Sequence, residues 1–127
     1  MPDSLIKSIV DTYRTLTSTS NAYYGERSGD MALPCLVFRP YGGTASPTLP
    51  TQDWRIQVTA YATTEEGAHT AAEAVRTALH QRDHWDVGSY VVHYIVCDPV
   101  VTLPPQPATG GSTYLAAVSM RLHINAE

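Results

Sequence analysis

Two pairs of histidines are the side chains whose spacing comes nearest to chemistry. His80 and His84 stand four residues apart, which on a helix would let two imidazoles ligate one metal. The intervening Gln81-Arg82-Asp83 reads as a helix end, and no cysteine or carboxylate cluster completes a coordination shell, so no metal site is expected. His93 and His123 both fall in segments of strand character, where a surface pair across neighbouring strands is expected in preference to a ligand pair. Asp83 and Asp86 flank His84 and could in principle do acid–base work, but polar loops collect such triplets without any reaction to serve.

Nucleophile, phosphate and dinucleotide signatures are missing from the sequence. Tyr41-Gly42-Gly43-Thr44 lacks the lysine and the following helix of a phosphate cradle, which leaves its glycine pair as turn chemistry. Cys35 and Cys97 each lie within an apolar run and read as reduced, buried thiols. No catalytic residue and no cofactor are therefore expected. The net charge of −4 and the isolated placement of eight Lys and Arg residues argue against a phosphate-binding stripe. Charged residues make up only 16% of the chain, against roughly 25% in ordinary soluble domains, and uncharged surface of that kind suits a subunit of an assembly.

The elements that would carry these residues follow from periodicity. Leu5, Ile6, Ile9, Val10, Tyr13 and Leu16 recur at threes and fours and predict an amphipathic helix over residues 4–17. Thr17 to Asp30 has turn composition. A strand is expected over Ala32 to Arg39, then a charge-free loop from Pro40 to Gln52. Asp53 to Ala62 alternates, with Trp54, Ile56, Val58 and Ala60 on one face. Thr63-Thr64-Glu65-Glu66 has capping-box spacing, with Thr63 as the cap of a helix running to about His80. Ala68, Ala71, Ala72, Val75, Ala78 and Leu79 form its buried stripe.

The polar segment His80 to Asp86 should end that helix, with Trp85 as a lid on the core. Ser89 to Asp98 is expected as an interior strand, Pro99 to Ser112 as a second charge-free loop, and Thr113 to Ile124 as a closing strand. The predicted fold is a single α+β domain over residues 1–127. Its order is α-β-β-α-β-β, an antiparallel or mixed sheet of about four strands covered by two helices. No apolar stretch approaches the roughly 20 residues of a membrane span, so a soluble protein made in a reducing cytoplasm is expected.

Arg55-Ile56-Gln57-Val58-Thr59-Ala60-Tyr61-Ala62-Thr63, leading to Ala68 and Ala71-Ala72-Glu73-Ala74-Val75-Arg76-Thr77-Ala78-Leu79, resembles the tail-completion or tail-terminator proteins of long-tailed bacteriophages. There a strand of the type R-x-Q-V-x-x-Y-A precedes an A-E-A-V-R-x-A-L helix. The N-terminal helix, Leu33-Pro34 before apolar residues and the strand Tyr114 to Ile124 also fall where that family puts them.

The resemblance implies a structural virion protein of the tail and neck, assembled in the host cytoplasm. It would form a homo-oligomeric ring, a hexamer, that caps the tail tube and meets the tail tube protein and the head–tail connector or stopper. DNA would pass through the lumen without specific binding. A different neck or head–tail joining component is the alternative, followed by a small-ligand binding α+β domain using His84, His93 or His123. The two charge-free loops supply the expected subunit or partner contacts: Tyr41, Gly42, Gly43, Thr48, Leu49, Val101, Leu103, Pro104 and Pro105.

Overall fold

A computed structural model describes residues 3–17, 21–25, 34–45, 51–87, 90–108 and 111–126. The elements in chain order are α1 (Asp3–Thr17), β1 (Ala22–Tyr24), β2 (Cys35–Ala45), β3 (Thr51–Ala62), α2 (Glu65–Leu79), β4 (Asp83–Val87), β5 (Tyr90–Cys97), β6 (Val101–Ala108) and β7 (Gly111–Ala126). The seven strands form one sheet of order β1-β2-β3-β7-β5-β4, with β6 also paired to β7. Among the described strands, only β1 and β2 run parallel. β7 is long enough to pair with β3 along one edge and with β6 and then β5 along the other.

The apolar stripes are where periodicity puts them. Leu5, Ile6, Ile9, Val10 and Tyr13 of α1 are buried, as are Ala68, Ala72, Val75 and Leu79 of α2, whereas Leu16 is exposed. α2 lies across β7, β3, β5 and β2, while α1 touches β1 and β2 as well as β4. Those strands stand at opposite ends of the sheet, so α1 can reach both only because the sheet curls, here into a half-barrel. Phe38, Ile56, Val58, Ala60, Val92, Ile95, Val118, Met120, Leu122 and Ile124 complete the shared core from the strands.

The expectation of about four strands under two helices is overturned by this seven-stranded sheet. β1 arises inside the stretch expected to be all turns. It is three residues long, too short for a period, and is held by pairing with β2 and by the Arg14 guanidinium of α1, which donates to the Ala22 carbonyl. β2 continues through Pro40 to Ala45, where a loop was expected: Pro40 stays opposite Ile56, Tyr41 is the extra residue of a bulge, and pairing resumes at Gly42 opposite Arg55. β4 forms in the polar segment after α2: Gln81 N–H donates to the Ile95 carbonyl, Ile95 N–H to that of Arg82, and Trp85 is buried. β6 occupies most of the second expected loop. Its prolines are tolerated because pairing skips from Leu103 to Gln106 across Pro104 and Pro105.

The start of α2 is shifted by one residue from the expected capping box. β3 stays paired to its last residue, Ala62 opposite Tyr114, so Thr63 belongs to the turn and Thr64 becomes the cap. The Thr64 hydroxyl accepts from Gly67 N–H at 3.0 Å. A Cβ on Gly67 would lie 2.9 Å from that hydroxyl and 3.3 Å from the Ala62 methyl, so this glycine permits both the cap and the close approach to β3.

Two outcomes follow for stability. Thr64→Ala should cost about 1 kcal/mol in denaturant unfolding, whereas Thr63→Ala should change it by less than about 0.5 kcal/mol. Val75→Asp places a carboxylate in the fully buried centre of the α2 stripe and should cost more than about 3 kcal/mol, read as loss of the cooperative thermal transition.

Candidate functional site

β3 and β7 pair without interruption from Thr51 opposite Asn125 to Ala62 opposite Tyr114. Alternation then sorts their side chains. Ile56, Val58, Ala60, Val118, Met120 and Leu122 enter the core, and the residues between them face away from the helices. In register on this outer face stand Asp53 with His123, Arg55 with Arg121, Gln57 with Ser119 and Thr59 with Ala117.

Arg55 and Arg121 are directly opposite and both exposed. Among the described residues neither has a hydrogen-bond, ion-pair or ring partner. Like charges facing each other directly across two strands destabilise a sheet. Arg39 of β2 extends the positive charge, since it pairs in register with Gln57, one row along the same face.

One row the other way, His123 Nδ1 lies 2.6 Å from Asp53 Oδ1. The His123 ring stacks on Tyr94 of β5 at 5.2 Å between centroids, and His93 lies 5.6 Å from His123 with His84 a further 6.4 Å from His93. The expected neighbourhood of His93 and His123 is thus present, and a bulge between Val92 and Tyr94 sets its geometry. Among the described residues no group of three or more His, Cys, Asp and Glu side chains is placed to hold a metal ion. His80, the other half of the spaced pair, is occupied elsewhere: its Nδ1 accepts from Cys97 N–H at 3.0 Å and ties the end of α2 to β5.

The residues singled out as contacts fall into two groups that the sheet keeps apart. Tyr41, Gly42 and Gly43 lie at the β2 bulge, where Gly42 pairs with Arg55 and Gly43 with Trp54. Val101 and Leu103 of β6 pair with Ala117 and Leu115 of β7, followed by Pro104 and Pro105 at the β6 irregularity. β3 and β7 stand between these groups. Thr48 and Leu49 lie outside the described residues. Tyr41 and Val101 are among the most exposed large apolar side chains at 46% and 57%, together with Tyr94 at 48%. Tyr94, Arg55 and Arg121 were not singled out from the sequence. The clue to them was alternation, but only register places Arg opposite Arg and Tyr over His.

Cys35 and Cys97 are both free and buried. Burial pushes the Cys97 thiol up to about 12, with Arg76 drawing it down and Asp98 adding slightly to the rise. Tyr13 is also raised by burial, opposed by its hydrogen bond with Thr17. Neither group has the lowered pKa of a nucleophile. Among the described residues no helix is long and apolar enough to cross a membrane.

The family model described as tail completion protein gp17 matches residues 9–86, from within α1 to within β4. The curated proteins contain no match to the chain.

The thiols supply a check on the buried face. A folded-state pKa raised from 9.0 to about 12 means that the Cys97 contribution to stability is complete below about 9 and is lost as pH rises from there toward about 12. Thermal midpoints should therefore fall over that interval, less steeply in Cys97→Ala. At neutral pH both cysteines should resist a thiol reagent until denaturant is added.

Proposed function

Since the chain belongs to the family of tail completion protein gp17, structural proteins of the phage tail, we infer that it is the subunit of a closed homo-oligomeric ring, a hexamer, at the head-proximal end of the tail tube. The ring stops tube polymerisation, presents its far side to the head connector or stopper, and lets DNA pass through its lumen without sequence-specific binding. The family match carries this reading.

The chemistry of the chain is in keeping with it. The Cys97 thiol is buried and held in its neutral form, and His80 is engaged in a structural bond between the end of α2 and β5. A closed ring needs two different surface patches on each copy, because the contact is heterologous. The exposed Tyr41 and Tyr94 and the β6 segment with Val101, Leu103, Pro104 and Pro105 supply uncharged surface for such contacts and for the tube and connector.

Mass measurement of the purified chain and electron microscopy of immunolabelled virions test the reading. A discrete ring mass with label at the junction of head and tail is expected, together with over-length, headless tubes when the gene is deleted. A strictly monomeric protein absent from virions would overturn it, and label at another level of the neck would reassign it to a joining component.

A further inference from the structure

Arg55 and Arg121 are a like-charge pair held in direct register on an exposed face, without a partner among the described residues. Nothing in the fold requires arginine there. The positions point away from the core, and the rows on either side hold an Asp53–His123 pair and the uncharged Gln57 and Ser119. A pair that opposes the isolated sheet is explained if an anionic group meets it.

The same face carries Tyr94 opposite His123 and Val101 opposite Ala117, two of the most exposed large apolar side chains, and the exposed Tyr41 stands at the bulge beside the register partner of Arg55. Basic charge ringed by exposed aromatic and aliphatic groups is the composition of a protein contact. Phosphate binding would leave the apolar groups unused, and Asp53 stands within the patch.

The complementary surface lies on the other side of the same sheet. α2 packs on the core face of β3 and β7; Glu65 and Glu66 in its first turn are exposed, and Glu73 in its third is half-buried, 3.9 Å from His69 Nε2. Arg76, the single Lys or Arg of this helix, lies in the last turn and is half-buried. One side of the sheet is therefore locally basic and the helix on its reverse is locally acidic. Unlike patches on opposite sides of one subunit are what head-to-tail closure uses.

We propose that the outer face of β3 and β7, centred on Arg55 and Arg121, docks onto the acidic outer face of α2 in a second copy of this chain. This rests on the ring reading and assigns its contact. Each copy offers its arginine face to one neighbour and its α2 to the other.

Charge reversal in the full-length chain tests the assignment. Arg55→Glu with Arg121→Glu should fold, by circular dichroism, yet raise the dissociation constant between copies more than about a hundredfold, because like charges then meet across the contact. Glu65→Arg with Glu66→Arg should do the same from the other side. An equimolar mixture of the two should assemble, since every contact in an alternating ring then joins opposite charges. If the reversed helix start does not fold, Glu65→Gln with Glu66→Gln should still weaken the ring and remove most of its salt dependence.

A wild-type ring that persists in the arginine double variant would overturn this contact and leave the ring reading intact, whereas a monomeric wild type would end both. Binding of the wild type to a duplex oligonucleotide, lost in the double variant while the ring survives, would assign the face to DNA. Two folded single-surface variants that remain monomeric when mixed would also refute the pairing.

Discussion

The continuous pairing of β3 with β7 is the constraint on which the other features depend. It joins segments about fifty residues or more apart in the chain, and its register simultaneously decides which residues enter the core and which face outward. A slip of β3 by one residue would expose Ile56 and Val58, bury Arg55 and take it out of register with Arg121. Burial of the one set therefore specifies the alignment of the other. The opposed arginines and the Asp53–His123 contact are consequences of a register that the hydrophobic face selects.

Around this pair the sheet is completed partly by elements of little intrinsic strand character, β1, β4 and β6. β7 presents a second edge long enough for both β6 and β5, and β2 on the outer side of β3 gives β1 a parallel partner. A ladder already formed can recruit a three-residue segment or a proline-rich one, because only some positions must donate. α1 then closes the curl by touching both ends of the sheet, and Arg14 anchors it to β1. The result packs α2 on the core face of β3 and β7 and, among the described residues, leaves the outer face of those strands without a helix over it.

The family match spans the piece from α1 to β4, which includes the β3–α2 connection. That connection is tightly determined: Thr64 caps the helix, and Gly67 leaves room for the cap and for the end of β3. β5, β6 and β7 lie beyond it, so the outer-face arrangement of Arg121, Tyr94 and His123 depends on strands outside the matched stretch.

Local pattern alone determined the two helices, the core alternation of β3 and β7, the burial of Trp85 and both cysteines, and the likeness to tail completion proteins, because each is written in periods or runs that need no distant partner. The neighbourhood of His93 and His123 was legible for the same reason, as two strand positions. The tertiary structure decided the rest. It made strands of Ala22–Tyr24, Asp83–Val87 and Val101–Ala108, carried β2 past Pro40, and moved the cap from Thr63 to Thr64. It also set Arg55 against Arg121. Strand formation in polar or proline-bearing segments is stabilised by the partner's free hydrogen-bonding edge, and the choice of facing residues follows from register; both are properties of the paired chain that no single stretch of it contains.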